Sequence, residues 1–126
     1  MNVVDSSGWL EYFADGPNAE RFVSPIQNSG ELIVPTLSLF EVFKRVSQQR
    51  NATAALRAVA LMQQGRVVDL NATIALSAAK LSIELKLPMA DSIMLATARE
   101  HRATLWTQDA DFKGMERVRY FAKPPS

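Results

Sequence analysis

Apolar residues fall into short continuous runs that alternate with longer segments of helical periodicity. The short runs predict buried strands, at residues 2–5, 32–34, 66–70, 103–107 and 118–121. The longer segments predict helices at residues 9–14, 17–27, 36–49, 52–64, 72–86 and 89–101. Asn51 and Asn71 each precede one of these helices, and asparagine is a favoured N-cap. The pattern predicts strands and helices in alternation along the whole chain.

This order of elements predicts the fold class. Short apolar strands that alternate with helices are typical of a parallel sheet covered on both faces. We therefore expect an α/β protein, a single three-layer α/β/α domain over residues 1–126, with a five-stranded, mainly parallel sheet. No linker or repeat divides the chain, and the Pro-rich tail 123–126 is expected to fray.

Composition excludes several classes of site. The 126 residues include no cysteine and one histidine, His101, which excludes disulfides, thiol nucleophiles and sites built on histidine clusters. The absence of cysteine fits a reducing cytoplasm. The N-terminus lacks the basic region of a signal peptide, and no apolar run reaches the roughly 18 residues of a membrane span. We expect a cytoplasmic protein with no membrane partner.

Four acidic residues lie near element ends that share one edge of the predicted sheet. Asp5 ends the first strand, and Asp109 follows the fourth strand by two residues. Glu41 lies in the second turn of the helix after Pro35 and Asp91 in the first turn of the helix after Pro88, and both helices begin at the same edge. Ligands of open parallel sheets bind beyond the carboxyl ends of the strands. We therefore expect these four side chains to converge.

Convergence of carboxylates favours a metal site. Two unit charges about 4 Å apart repel by roughly 4 kcal/mol at an effective dielectric constant of 20. Mg²⁺ and Mn²⁺ prefer oxygen ligands and also bind phosphate. A carboxylate-held ion activates water and stabilises the leaving oxygen of a phosphodiester. This chemistry is that of metal-dependent nucleases.

Each acidic residue also has a local interpretation. Asp5 and Asp91 suit the N-terminal ends of helices. Glu41 fits a capping box with Ser38 or an ion pair with Arg45, four residues later. Asp109 and Asp111 suit an ordinary turn and cap.

The residues around these acids resemble motifs of the PIN-domain family, specifically VapC-type toxin ribonucleases of toxin–antitoxin pairs. The first motif is Val3-Val4-Asp5-Ser6-Ser7, and Glu41 lies on the expected helix. The third is Leu87-Pro88-Met89-Ala90-Asp91-Ser92, and the fourth is Thr107-Gln108-Asp109-Ala110-Asp111-Phe112. The motifs cover nearly the whole chain.

The resemblance implies a Mg²⁺- or Mn²⁺-dependent endoribonuclease, usually a homodimer, inhibited by a cognate antitoxin. It assigns the catalytic roles to Asp5, Glu41, Asp91 and Asp109. Asp5, Asp91 and Asp109 would bind the metal, and Glu41 would orient or deprotonate water. Ser6 and Thr107 would support the carboxylates by hydrogen bonds. Asp111 would also have a supporting role, capping the turn that Phe112 anchors.

Charge and aromatic residues suggest partners. No acid occurs between Val42 and Val68, where five bases could contact RNA phosphates or simply be solvated: Lys44, Arg45, Arg50, Arg57 and Arg66. Such contacts give affinity without sequence information. Aromatic residues of the predicted helices suit either an antitoxin groove or the core: Trp9, Tyr12, Phe13, Phe22, Phe40 and Phe43.

Competing functions make different demands on the sequence. A receiver-like phosphoacceptor requires paired acids after the first strand, and a haloacid-dehalogenase-type phosphatase requires Asp-x-Asp there. Here Asp5 is followed by Ser6-Ser7. A catalytically silent, PIN-like interaction module remains the alternative, because one fold hosts many functions.

Overall fold

A five-stranded sheet is the centre of the computed structural model, which describes residues 1–125. Its strands are β1 (Asn2–Val4), β2 (Leu32–Pro35), β3 (Arg66–Val68), β4 (Thr104–Thr107) and β5 (Val118–Tyr120). They lie in the order β3-β2-β1-β4-β5, and all neighbouring pairs are parallel. The predicted fold class and strand number are confirmed.

Six α-helices connect the strands: α1 (Ser6–Phe13), α2 (Ala19–Gln27), α3 (Thr36–Gln49), α4 (Ala52–Met62), α5 (Ala72–Leu85) and α6 (Met89–Glu100). The side chains of Asn51 and Asn71 accept hydrogen bonds from the first turns of α4 and α5, so both predicted N-caps are confirmed. The first helix begins three residues earlier than predicted, because Asp5 caps it and α1 follows the strand directly.

Two apolar clusters cover opposite faces of the sheet. Val3 packs in the cluster formed with α5 and α6, whereas Val4 packs in the cluster formed with α1 to α4. Side chains that follow one another on a strand point to opposite faces. The strands are therefore buried on both faces, which explains their continuous apolar runs.

The order in which strands are added to the sheet changes sides at β1, so β1 and β4 are neighbours although they are distant in sequence. The chain proceeds from β1 to β2 and β3 on one side, and then returns through α5 and α6 to β4 on the other side of β1. Val4 pairs with Trp106 at the carboxyl ends of these strands, and the Asp5 N–H donates to the Trp106 carbonyl at 3.1 Å. This switch point is where open α/β sheets bind ligands.

The C-terminal tail contains no helix or strand over residues 123–125, and Ser126 lies outside the described residues. The predicted fraying of residues 123–126 therefore stays a prediction. Among the helices of the described chain, none has the length and apolar character needed to cross a membrane.

Candidate metal centre

Asp5 is buried at the junction of β1 and α1, with 5% of its surface exposed. Its Oδ1 atom accepts hydrogen bonds from the Gly8 N–H at 3.0 Å and the Ser7 hydroxyl at 2.7 Å. Its Oδ2 atom accepts from the Thr107 hydroxyl at 2.6 Å. Asp5 is therefore both the helix cap of the local interpretation and a carboxylate fixed at the switch point.

Three further aspartates form a cluster beside it. Asp91 lies in the first turn of α6, and Asp109 and Asp111 lie in the segment after β4. One carboxylate oxygen from each lies within 4.8 Å of the others. The predicted approach of Asp91 to Asp109 is thus observed, and Asp111 joins them.

The cap of the turn after β4 differs from the prediction. Asp109, not Asp111, caps the short 3₁₀ turn Ala110–Phe112, because the Asp109 Oδ1 atom accepts the Asp111 N–H at 2.9 Å. The Asp111 carboxylate does not cap this turn and instead faces Asp91 and Asp109. Asp111 can therefore offer a ligand atom of its own, whereas the sequence suggested only a supporting role.

Glu41 reaches the same place from α3. Its Oε1 atom accepts a hydrogen bond from the Ser6 hydroxyl at 2.6 Å, across 35 residues of sequence. The capping box with Ser38 is wrong, because α3 begins at Thr36 and the Ser38 hydroxyl contacts the Met94 sulfur at 3.6 Å. Over residues 1–125 the ion pairs are Met1–Glu31 and Lys80–Glu84, so the pair with Arg45 does not form.

A cavity of about 140 Å³ joins these groups. Asp5, Glu41, Asp91 and Asp109 all line it, and Ala90 and Met94 contribute apolar wall. The four predicted acids thus come together from four separate segments of the chain. Asp5 and Asp91, 86 positions apart, face one cavity rather than opposite sides of the molecule.

Thr107 and Ser7 connect the parts of the site. The Thr107 hydroxyl donates to Asp5 and accepts the Asp109 N–H at 2.9 Å, so it links two of the acids. The Ser7 hydroxyl donates to Asp5 and accepts the Gln108 N–H at 3.3 Å. Sequence reasoning assigned Thr107 and Ser6 but missed Ser7, although its position beside Ser6 was a usable signal.

The electrostatics of the cavity oppose negative charge. Burial raises the pKa of Asp5 from its ordinary value of 3.8 to about 6, although the hydrogen bonds from Thr107, Ser7 and Gly8 act in the opposite direction. Burial is also the largest cause at Asp91, followed by hydrogen bonding with Asp111 and the charge of Asp109; together they raise its pKa to about 8. A cation bound in the cavity would favour the ionised carboxylates and would therefore lower both pKa values.

The donor set fits a hard divalent ion. All the clustered ligand atoms are carboxylate oxygens, which Mg²⁺ and Mn²⁺ prefer over the nitrogen and sulfur ligands of zinc or copper sites. The carboxylates approach one another closely enough for one ion to bind several of them. The site is therefore compatible with a divalent metal.

Comparison with protein families identifies the fold family. The PIN domain model matches residues 3–118. The chain belongs to the PIN domain family. No curated protein sequence matches this PIN domain.

Solved structures share the fold of this PIN domain at low sequence identity. A chain of a toxin–antitoxin complex from Klebsiella pneumoniae is 21% identical, with a TM-score of 0.83 over 98% of this chain and 100% of that one. VapC20 of Mycobacterium tuberculosis, a sarcin–ricin loop cleaving toxin, is 21% identical, with a TM-score of 0.77 over 94% and 99%. DNA-bound VapBC from Salmonella typhimurium is 15% identical, with a TM-score of 0.73 over 97% and 98%.

Proposed function

We propose that this PIN domain is a divalent-metal-dependent endoribonuclease that acts in the cytoplasm as the toxin of a toxin–antitoxin module. The observation that carries the proposal is the acidic cavity at the β1–β4 switch point. Asp91, Asp109 and Asp111 place oxygens within 4.8 Å of one another there, and Asp5 and Glu41 line the same cavity. The VapC proteins of similar fold supply the choice of RNA and of a toxin role.

The aspartates would hold the ion. Asp5, Asp91 and Asp109 would bind Mg²⁺ or Mn²⁺, with Asp111 close enough to assist. When bound, the ion would supply water activation and stabilisation of the leaving oxygen. Thr107 holds the Asp5 carboxylate and the Asp109 backbone in one arrangement. Such hydrogen bonds aim metal-binding carboxylates.

Glu41 has a different role from the aspartates. It lies on α3 and is held by the Ser6 hydroxyl, outside the cluster of three aspartates. We assign it the orientation of the attacking water and acceptance of its proton. A general base must lie within hydrogen-bond reach of the proton that it removes, and Glu41 lines the cavity where that water would bind.

Grooves on both sides of the cavity suit an RNA strand. One shares Ser6 and Glu41 with the cavity and continues past Lys44, Arg45 and the exposed ring of Phe40. The other shares Ser7 and Asp109 with the cavity and continues to Tyr120 and Lys123, as its lining shows: Ser7, Gln108, Asp109, Ala110, Tyr120, Ala122 and Lys123. Bases next to an acidic cavity attract phosphates, and exposed aromatic rings stack on nucleobases.

A separate apolar groove suits an antitoxin helix. It has a volume of about 410 Å³ between α1, α3 and α4, and its lining includes Leu10, Phe13, Val46, Leu61 and two arginines, Arg50 and Arg57. An amphipathic helix places an apolar face into such a groove, and the arginines favour acidic residues beside that face. Phe13 lines the groove, whereas Trp9 and Phe22 are fully buried core residues.

The direct test is cleavage of total RNA by the purified chain, with Mg²⁺ or Mn²⁺ and with EDTA. We expect cleavage that requires the metal and is lost in Asp5→Asn. That variant should fold normally, and should be equally or slightly more stable without metal because a buried charge is removed. Asp15→Asn, an exposed acid outside the cavity, is the matched control and should cleave like the wild type.

Two results would contradict the proposal. Metal-independent cleavage that survives Asp5→Asn would separate the activity from the cavity. Absence of metal-dependent cleavage of any RNA at micromolar protein would favour the catalytically silent interaction module. The antitoxin assignment has its own test, which is whether a small protein encoded directly upstream binds the chain and suppresses cleavage.

A further inference from the structure

Two exposed arginines rest on aromatic rings beside the last two strands of the sheet. Arg119, on β5, places its guanidinium carbon 4.9 Å from the centre of the Trp106 indole. Arg21, on α2, places the same atom 5.6 Å from the centre of the Phe121 ring. The centroids of the two rings are 6.1 Å apart, so both cations lie on one aromatic surface. We call these four residues the arginine–aromatic patch.

Neither arginine of the patch has a carboxylate partner within the described chain. Over residues 1–125 the ion pairs are Met1–Glu31 and Lys80–Glu84, and Glu20, the acid next to Arg21 in sequence, is exposed and is not among them. A guanidinium that stacks on a ring keeps its N–H donors in its own plane. Those donors match the oxygens of a phosphate. The patch therefore offers two oriented cationic donors for an anion.

Asn18 joins the patch to the acidic cavity. Its side-chain nitrogen donates to the Ala122 carbonyl and to the Gln108 Oε1 atom, both at 3.0 Å. Ala122 directly follows Phe121 of the patch. Ala122 and Gln108 also line the groove that contains Lys123 and shares two residues with the cavity. A strand that leaves the cavity through this groove therefore arrives at the patch.

Charge and surface chemistry select the occupant. Lys123 in the groove is followed by Arg21 and Arg119 on the patch, so a series of bases leads away from the acidic cavity. Bases combined with aromatic rings are typical of surfaces that bind single-stranded nucleic acid. An acidic peptide would match the charge of the arginines alone. An RNA strand matches the charge and also the continuity of the groove with the cavity.

We propose that the arginine–aromatic patch binds the phosphate backbone of single-stranded RNA on one side of the cleavage position. Arg21 and Arg119 each contact a phosphate, and the rings of Phe121 and Trp106 hold the two guanidinium groups in place. The identity of the ligand rests on the proposed ribonuclease function, which the patch extends to a part of the substrate outside the cavity. Phosphate contacts carry no sequence information, so the patch contributes affinity and register rather than a choice of base.

The salt dependence of RNA binding tests the patch. Fluorescence anisotropy with labelled single-stranded RNA of about 16 nucleotides, in EDTA, measures binding without cleavage. Each phosphate contact to a single strand contributes about 0.7 to the slope of log K against log[salt]. Arg21→Gln and Arg119→Gln should therefore each reduce the slope by about 0.7, and the double variant by about 1.4, equally for RNAs of different sequence. Arg99→Gln, at an exposed arginine in the last turn of α6, is the control and should keep the wild-type slope.

A lysine variant separates phosphate binding from a structural role of the stacked arginine. Arg119→Lys retains the positive charge but lacks the planar group that stacks on Trp106. If Arg119 contacts a phosphate, the lysine variant should keep most of the slope that the glutamine variant loses. If the arginine acts only by packing on the ring, the lysine and glutamine variants should bind RNA alike, and the proposal would be wrong.

Other outcomes distinguish this proposal from the proposed function. Cleavage of RNA together with an unchanged salt slope in the double variant would refute the patch and leave the ribonuclease function standing. RNA binding that depends on the patch in a chain that never cleaves would refute the ribonuclease function and leave the patch. The patch would also be refuted if the wild type bound no RNA, or if the two arginines mattered for an oligoglutamate peptide and not for RNA.

Discussion

The two sides of the acidic cavity hold their carboxylates in different ways. Asp5 is buried and accepts three hydrogen bonds from the fold itself, donated by Gly8, Ser7 and Thr107. Asp91, Asp109 and Asp111 instead face one another, and their oxygens lie within 4.8 Å. The fold therefore orients Asp5 by its own donors, whereas the cluster brings together groups that repel when ionised.

The difference suggests that separate residues determine the geometry of the site and its affinity for a metal. Donors that surround Asp5 fix its geometry before any ion binds, which is the preorganisation that a site needs. The three clustered aspartates supply the negative charge that a bound ion would neutralise. The comparison implies that changes near Asp5 should alter geometry and stability, while changes in the cluster should alter metal binding first.

Within the cluster of three aspartates the largest effect is expected at Asp91, because it is the member whose pKa is raised to about 8 without metal. Asp91→Asn should reduce cleavage by about 10²–10³-fold and weaken Mn²⁺ binding measured by calorimetry. Its metal-free thermal stability should be equal or higher, since one repelling charge is gone. Unchanged Mn²⁺ affinity would show that the cluster is not the metal ligand set.

Thr107 tests the other side of the comparison. Thr107→Val keeps the shape but removes the hydroxyl that links Asp5 to the Asp109 N–H. Leaving buried partners unsatisfied costs about 1–3 kcal/mol of unfolding free energy, and loss of such a support typically lowers metal affinity or activity 10–100-fold. Thr107→Ser retains the hydroxyl and should be close to wild type. If the valine and serine variants had equal stability and equal activity, the Thr107 hydroxyl would not link Asp5 to Asp109 in any functional sense.

The dependence of metal-free stability on pH sharpens the contrast. Folded Asp5 retains its proton up to about pH 6, whereas the ordinary carboxyl releases it near 3.8. Because the folded state binds more protons between these values, its stability falls as the pH rises through this window. The Asp5→Asn variant does not lose stability in this way, because asparagine does not ionise. In EDTA, the variant should therefore gain about 1–2 kcal/mol relative to the wild type between pH 4 and pH 6.

Denaturant titrations of both proteins across this pH range measure the gain. Asp91→Asn gives the comparison, because the pKa of Asp91 lies higher and its difference from the wild type should continue to grow above pH 6. Saturating Mg²⁺ at neutral pH should reduce both differences by stabilising the wild type. A stability difference for Asp5→Asn that does not change with pH would contradict the burial argument.

Much of the frame of the site could be predicted from local patterns. Asp5 and Asp109 follow apolar strand segments, and parallel strands that are neighbours end at one edge. The α3 bounds Thr36–Gln49 were predicted correctly, because Pro35 and a broad apolar arc mark that helix. Periodicity and order along the chain are sufficient for features of this kind.

Contacts between distant segments could not be predicted in the same way. The Ser6–Glu41 hydrogen bond depends on how α1 packs beside α3, and the local pattern favoured a capping box with Ser38 that does not form. The sequence analysis gave Asp111 a capping role because the residues around it have the pattern of a turn. Its approach to Asp91 depends on the position of α6 relative to β4, which no short sequence window contains.

The smallest predicted effect isolates that distant contact. Glu41 is the acid to which the Ser6 hydroxyl donates a hydrogen bond, whereas the Ser7 hydroxyl donates to Asp5. Ser6→Ala should slow cleavage about threefold to tenfold, the equivalent of one hydrogen bond of roughly 1 kcal/mol. If Ser6 acts only by positioning Glu41, Ser6→Ala should have no further effect on the residual rate of Glu41→Gln, whereas Ser7→Ala should lower that rate by the same factor as in the wild type. Single-turnover rates of the wild type, the three single variants and the two double variants with Glu41→Gln decide this. Independent, multiplicative effects of Ser6→Ala and Glu41→Gln would show that Ser6 acts elsewhere.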